Sequence, residues 1–150
     1  SDDVVGVEIG AALKNIVALA AGFCDGMELG ANTKAIVMAR GFQEIYRAAA
    51  SLGAWSDSFI KESAILGDVL TTCMSPDSRN RTTGERLGRG MTVEDAKNAL
   101  NGRVCAGLET IQICRMFESL YHLRLPVMES LCDLVEGKIS REDCLRQMLS

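Results

Sequence analysis

The chain has 150 residues, of which 47% are hydrophobic, and a formal net charge of −4. A chain of this length and composition can bury the core of one domain, which excludes a disordered tail, and its acidic balance argues against general nucleic-acid binding. No run is expected to span a membrane, because the run that comes closest, Ile9 to Ala21, is interrupted by Lys14 and Asn15.

The first half of the chain is predicted to be helical, because strand patterns are nearly absent and only two prolines occur in the whole sequence. We expect, in chain order, a helix rich in small residues, a long helix with an apolar stripe and a shorter capped helix. A loop with two glycines separates the first two, and Gly67-Asp68 is expected to break the third. The expected positions are 4–21 for the first helix, 24–33 for the loop, 33–52 for the second helix, a cap at 56–58 with a helix to about 66, and a resumed helix at 69–73.

The second half begins with a turn, Ser75-Pro76-Asp77-Ser78, that ends in a favourable N-cap residue, Ser78. Thr92–Asp95 and Ser140–Asp143 are typical of helix capping boxes with aspartate as the acidic partner. Further helices are expected at 109–123, at 127–136 and from 140 to the end. No internal repeat or linker is evident, so we predict one all-α, multi-helix domain over residues 1–150.

Six cysteines are scattered along the chain without a Cys-x-x-Cys pair: Cys24, Cys73, Cys105, Cys114, Cys132 and Cys144. The only histidine, His122, has no cysteine at metal-ligand spacing and is interpreted as a packed or capping residue. We therefore expect core thiols in a reducing compartment and no metal site. The start Ser1-Asp2-Asp3 lacks the basic region of a secretory leader, so a cytoplasmic location is expected.

Lys14 and Asn15 lie in a segment that is otherwise fit for burial on all sides. One interpretation is a lysine whose stem packs on the domain while its ammonium reaches solvent. The other is that the fold retains a partly buried ammonium for a functional purpose, because an unpaired buried charge is costly.

Two further segments could carry chemistry. In Ser78-Arg79-Asn80-Arg81, two arginines flank an asparagine at a helix start, where backbone N–H groups attract anions such as phosphate. The alternative is a pair of solvated surface arginines. Asp68 either caps a helix or holds the lysine ammonium and a substrate hydroxyl in register.

These segments together resemble one enzyme family. Gly10–Asn15, Ala21–Gly26, Asn32–Ala35, Leu66–Cys73 and Ser78–Arg81 follow the order and approximate spacing of the C-terminal domain of NAD(P)-dependent sn-glycerol-3-phosphate dehydrogenase. The resemblance covers about residues 6–110 and fades over the last forty. It implies a helical fold similar to the C-terminal domain of 6-phosphogluconate dehydrogenase-like enzymes.

The resemblance also implies roles for individual residues in the interconversion of glycerol 3-phosphate and dihydroxyacetone phosphate. Lys14 would be the general base and acid, and Asn15, Asp68 and Thr72 would position the lysine and the substrate hydroxyls. The implied phosphate ligands are Ser78, Arg79 and Asn80, and the implied contacts to NAD or NADP are Arg79, Val104 and Ala106. Ala106 departs from the family, which usually has at this position a glutamate or glutamine that reaches the cofactor.

The resemblance implies partners as well. An N-terminal Rossmann domain would bind most of the cofactor, yet the chain has no Gly-rich βαβ unit, so we expect it to be the C-terminal part of a longer enzyme and inactive alone. A homodimer is expected, with Met- and Leu-rich helices such as 115–120 as one indication.

Two alternatives remain open at this level. One is the C-terminal domain of another 6-phosphogluconate dehydrogenase-like or hydroxy-acid dehydrogenase, and the other is a non-catalytic helical interaction module. The enzyme interpretation requires Lys14, Asp68 and Arg79 to converge on one cleft, whereas the module does not.

Overall fold

The computed structural model describes residues 4–54 and 63–150, and within those ranges it contains helices and turns but no strand, as the sequence predicts. The described helices are α1 (Val4–Gly26), α2 (Ala31–Ser51), α3 (Ser63–Met74), α4 (Arg79–Gly88), α5 (Val93–Asn98), α6 (Ala106–Thr110), α7 (Ile113–Tyr121), α8 (Pro126–Val135) and α9 (Arg141–Leu149). Helix α1 lies at the centre and packs against α2, α3, α4, α6 and α8.

The central position of α1 explains its composition. Leu13, Ile16, Leu19 and Phe23 are fully buried. By length and composition alone, the stretch Gly6–Gly26 is apolar enough to cross a membrane. The expectation that no run could do so, because Lys14 and Asn15 interrupt the apolar run, was therefore wrong by that criterion. However, 61% of the tested window is buried inside the domain, and the core helix of a helical bundle passes the same test.

Glycines allow α1 and α4 to cross at backbone contact. A Cβ on Gly22 would overlap the carbonyl oxygen of Arg81, and a Cβ on Gly84 would overlap that of Leu19. Gly26 and Gly88 are equally close to the backbone of the opposite helix. The two helices are thus held closer than side chains would permit, which brings the start of α4 against the middle of α1.

The first predicted loop was too long. Helix α1 continues to Gly26, because Gly26 fits against α4, and it ends in a turn in which Leu29 N–H donates to the Cys24 carbonyl (3.1 Å). Glu28 adopts the left-handed conformation there, with φ of 58°. Helix α2 then begins at Ala31 with Gly30 as N-cap, instead of at Thr33.

The predicted break at Gly67-Asp68 was wrong, because α3 runs through both residues to Met74. Thr72 Oγ1 donates to the Asp68 carbonyl within this regular helix (2.8 Å), and the Asp68 carboxylate binds another helix instead of capping its own. The predicted cap at 56–58 lies outside the described residues.

The predicted helix 109–123 is two helices, α6 and α7. Short-range hydrogen bonds from Cys114 N to the Ile111 carbonyl (3.4 Å) and from Arg115 N to the Gln112 carbonyl (3.0 Å) tighten the chain between them. His122 ends α7 as an exposed C-cap residue with φ of 53°, so the capping interpretation is confirmed and the packed one is wrong.

The predicted N-caps are confirmed. Ser78, Thr92 and Ser140 each accept, through their side-chain oxygen, a hydrogen bond from the backbone N–H three residues on, at 3.1–3.2 Å. The six cysteines are free and buried, as expected, and burial raises the pKa of Cys24, Cys73, Cys114 and Cys144 to about 12. These thiols therefore stay protonated at neutral pH and act as small apolar core residues.

Candidate functional site

Lys14 and Asp68 form an ion pair between α1 and α3. The Nζ atom of Lys14 lies 2.7 Å from Asp68 Oδ2, and the two side chains are 24% and 55% exposed. The lysine therefore does not simply reach into solvent: three quarters of its side chain is covered, and its ammonium is held by a carboxylate from α3. Solvent reaches both groups, so a small polar ligand can too.

Asn15, the next residue of α1, binds Asn80 in the first turn of α4. Asn80 Nδ2 donates to Asn15 Oδ1 (3.0 Å), and Asn80 Oδ1 accepts from Gly107 N–H (2.8 Å) and the Cys105 thiol (3.2 Å). One amide thus connects α1, α4 and the start of α6. The approach is possible because Gly107 has no side chain, since a Cβ there would lie 2.7 Å from the Asn15 carbonyl oxygen.

The start of α4 offers donors to an anion. Ser78 Oγ accepts from Arg81 N–H, whereas the backbone N–H groups of Arg79 and Asn80 have no acceptor in the described part of the chain. Arg79 is exposed, and its guanidinium has no hydrogen-bond or ion-pair partner among the described residues. Two N–H groups, a hydroxyl and a guanidinium at a helix N-terminus suit a phosphate group.

The guanidinium of Arg81, in contrast, is engaged in ion pairs and hydrogen bonds within the domain. It is 13% exposed and binds Asp25 (2.9 Å), Glu85 (3.0 Å) and the Ser75 carbonyl (3.0 Å). Asp25 also binds Lys34 (2.9 Å). This network neutralises the charge of Arg81 near the positive end of α4, so of the two arginines in the segment only Arg79 is available to an external anion.

The remaining predicted residues lie around these groups. Thr72 is half-buried one turn after Asp68 on α3, and its hydroxyl is engaged with the Asp68 carbonyl. Val104 is 59% exposed and Ala106 is half-buried. Both flank Cys105, whose thiol binds Asn80, so they lie beside the start of α4.

The structure therefore connects the predicted residues in two clusters that share α1. The first cluster is Lys14 with Asp68, and the second is Asn15 with Asn80, which is continuous with Ser78 and Arg79. Lys14 and Asn15 are consecutive in α1, and their partners lie on α3 and α4, which contact each other, so an ammonium, an amide and the start of α4 lie on neighbouring elements. Such a set can bind a small phosphorylated molecule and exchange a proton with one of its oxygens.

Sequence reasoning missed the residues that support this site. Gly22 and Gly84 set the α1–α4 distance, and Gly107 admits the Asn80 amide. The spacing Gly-x-x-x-Gly occurs in both helices, at Gly22–Gly26 and Gly84–Gly88, and it is typical of closely packed helices. That spacing could have indicated the crossing.

Taken together, the helices define an all-helical domain of the 6-phosphogluconate dehydrogenase-like type. Residues 3–146 match the family described as NAD-dependent glycerol-3-phosphate dehydrogenase C-terminus, and the chain belongs to that family.

Individual relatives agree with this assignment. The chain is 38% identical to a glycerol-3-phosphate dehydrogenase [NAD(P)+] of Salinibacter ruber over 148 residues, which cover 99% of this chain and 42% of that protein. It is 48% identical to the Corynebacterium diphtheriae protein of the same description over 79% of this chain and 36% of that one. The crystal structure of glycerol-3-phosphate dehydrogenase from Coxiella burnetii superposes with a TM-score of 0.92 at 29% identity, covering 100% of this chain and 46% of the other. The chain thus spans less than half the length of these relatives.

Proposed function

We propose that this chain is the substrate-binding and catalytic half of an NAD(P)-dependent sn-glycerol-3-phosphate dehydrogenase, which interconverts glycerol 3-phosphate and dihydroxyacetone phosphate. The observation that carries the proposal is the Lys14–Asp68 ion pair on a helix whose next residue, Asn15, binds the start of α4. Family membership and the names of the relatives support it. The interaction-module alternative has less support, because it gives no reason for these groups to lie together.

Lys14 is the proton-transferring group in this proposal. In the direction of reduction its ammonium, held by Asp68 at 2.7 Å, donates a proton to the ketone oxygen of dihydroxyacetone phosphate. In the direction of oxidation the neutral amine takes the proton of the glycerol 3-phosphate hydroxyl. Asp68 restricts the lysine to one position, and the Thr72 hydroxyl lies one turn further along α3, bonded to the Asp68 carbonyl.

The substrate phosphate would bind at the start of α4. Arg79 supplies a guanidinium that can make two parallel hydrogen bonds, and the N–H groups of Arg79 and Asn80 supply two more donors. The Ser78 hydroxyl accepts from Arg81 N–H and retains its own proton for the phosphate. Arg81, whose guanidinium is bound to Asp25 and to the Ser75 carbonyl, keeps the start of α4 in place without contacting the ligand.

The cofactor would lie against the same edge, held mainly by an N-terminal Rossmann domain beyond this chain. Arg79 fits a cofactor phosphate, and the exposed Val104 fits an apolar ring, whereas Ala106 offers only its methyl group and backbone. When bound, the nicotinamide supplies or receives the hydride. The contribution of this chain is to orient the carbon that exchanges the hydride and to move the accompanying proton.

A Lys14→Met variant of the full-length gene product tests the assignment. We expect wild-type enzyme to oxidise NADH or NADPH in the presence of dihydroxyacetone phosphate, and the variant to lose about 100-fold to 10,000-fold in kcat, the range typical of general acid–base groups. The measurement is steady-state absorbance at saturating substrate.

Lys34→Met is the matched control. Lys34 is 21% exposed and bound to Asp25, much as Lys14 is 24% exposed and bound to Asp68, but it makes no hydrogen bond to the proposed proton-transferring or phosphate-binding residues. Its loss should affect stability similarly and activity little. Activity that survives in Lys14→Met would show that another residue is the base, and a wild-type enzyme inactive with both cofactors would refute the proposed reaction.

A further inference from the structure

Both the oxygen and the nitrogen of the Asn80 side-chain amide make hydrogen bonds to other residues of the chain. Its Oδ1 accepts from Gly107 N–H at 2.8 Å and from the Cys105 thiol at 3.2 Å, and its Nδ2 donates to Asn15 Oδ1 at 3.0 Å. Among the described residues, no other side-chain amide connects three helices in this way.

The backbone N–H of Gly107 fixes the orientation of this chain of hydrogen bonds. A backbone N–H can only donate, so the oxygen of Asn80, and not its nitrogen, must face Gly107. The Asn80 nitrogen then faces Asn15, and the oxygen of Asn15 must face Asn80. The Asn15 nitrogen is consequently turned outward, and it has no acceptor in the described part of the chain.

This orientation matters because Asn15 follows Lys14 on α1. The Lys14 ammonium and the Asn15 amide nitrogen are both donors on one turn of α1, and the partners of these two side chains lie on α3 and α4, which contact each other. A ketone oxygen, and the alkoxide into which reduction converts it, can only accept hydrogen bonds. If the Asn15 amide were reversed, its oxygen would repel that substrate oxygen.

We propose that Asn80 is a positioning residue that orients Asn15 as a hydrogen-bond donor to the reacting oxygen of the substrate. The orientation originates at the Gly107 N–H and passes through two amides. This role is separate from any contact that Asn80 makes with the phosphate through its backbone N–H, and it rests on the proposed function.

Asn80→Asp in the full-length enzyme tests the orientation. One oxygen of the introduced carboxylate still accepts from Gly107 N–H, so the connection to α6 is kept, but the other oxygen now faces Asn15. Asn15 must then rotate to donate to that carboxylate, and it presents its own oxygen to the substrate. We expect kcat/KM for dihydroxyacetone phosphate to fall by about 10-fold to 100-fold, the effect of one lost hydrogen bond to a developing charge, with nearly unchanged Tm.

Asn15→Asp should give a similar loss, because it keeps the acceptor for Asn80 and removes the outward donor. Asn98→Asp, at an exposed position at the end of α5, adds the same charge elsewhere and should leave activity unchanged.

The substrate dihydroxyacetone, which lacks the phosphate, separates the positioning role of Asn80 from its contact with the phosphate. The proposal requires a similar fold-loss with this substrate, and a loss confined to dihydroxyacetone phosphate would overturn it.

A second measurement does not depend on activity. In protein with ¹⁵N-labelled asparagine, the Asn15 side-chain NH₂ should exchange rapidly with water in the wild type and slowly in Asn80→Asp, where it donates to a carboxylate. Equal exchange rates in the two proteins would overturn the proposal even if the wild type proved inactive with dihydroxyacetone phosphate. Such inactivity would instead contradict the proposed function.

Discussion

At the scale of single residues, the buried carboxylate of Glu44 joins α2 to α8. Glu44 is 1% exposed, and its two oxygens accept from Val127 N–H (2.7 Å) and Met128 N–H (3.1 Å) in the first turn of α8. Since Leu125, the N-cap residue of α8, provides no side-chain cap, Glu44 satisfies those N–H groups from another helix.

Burial raises the pKa of Glu44 from 4.5 to about 7, although the two N–H donors and the Arg47 charge act in the opposite direction. Glu129 nearby adds to the increase. The folded protein therefore holds this proton more tightly than the unfolded chain does. The stabilising effect is fully present below pH 4.5 and disappears as the pH rises through about 7.

We predict that the free energy of unfolding falls by up to about 3 kcal/mol between pH 4.5 and pH 7 because of Glu44, at 1.36 kcal/mol for each unit of pKa. Glu44→Gln should remove this part of the pH dependence, since glutamine does not titrate. Urea unfolding of both proteins across that range measures the difference. Parallel curves for wild type and Glu44→Gln would show that Glu44 has an ordinary pKa.

At the scale of elements, the α1–α4 crossing determines whether the site exists. Gly84 lies against the Leu19 backbone, three residues after Arg81 and four after Asn80. Any separation of the two helices would stretch the Asn15–Asn80 hydrogen bond and displace the start of α4 from Lys14. Packing at this crossing and the geometry of the proposed site are therefore coupled.

We predict that Gly84→Ala destabilises the domain by about 3 kcal/mol, because its methyl group would overlap the Leu19 carbonyl oxygen and neither backbone can move cheaply. Gly67→Ala is the matched control, since it is also a helical glycine but has no described atom within 4 Å of the added Cβ. That variant should gain up to about 1 kcal/mol through helix propensity. Chemical denaturation measures both, and equal effects would contradict the close crossing.

The sequence predicted the features that depend on a few neighbouring residues. The caps at Ser78, Thr92 and Ser140 are hydrogen bonds across three residues, so the local pattern is sufficient. The break at Gly67-Asp68 was wrong because the partner of Asp68 is Lys14, 54 residues away. The contact between Glu44 and α8 was not predicted for the same reason, since α8 starts more than eighty residues later.

The residues of the candidate site were identified from a family resemblance, and a resemblance does not show how those residues pack against one another. Motif order placed Lys14, Asp68 and Arg79 in one list, but it did not indicate that Asn80 binds Asn15 and Gly107. It assigned Arg79 and not Arg81 to the phosphate, but it gave no physical reason for the distinction. The distinction depends on Asp25 and Glu85, which occupy Arg81 only in the folded domain.

At the scale of the whole molecule, the chain accounts for less than half of its relatives' length. Hydride transfer requires the cofactor and the substrate carbon to be in contact, and the described helices include no Gly-rich strand–helix unit to hold a dinucleotide. In the proposed enzyme, substrate binding and cofactor binding would thus reside mainly on different domains.

We predict that the 150-residue chain produced alone folds and binds phosphate but does not oxidise NADH or NADPH with dihydroxyacetone phosphate, whereas the full-length protein does. Circular dichroism checks folding. Inorganic phosphate should shift the amide resonances of Arg79 and Asn80, and Arg79→Met should weaken this response more than Arg89→Met, because Arg89 is bound to Glu85 (2.6 Å) at the other end of α4. Turnover by the chain alone would contradict the proposed division, since the cofactor would then bind within these 150 residues.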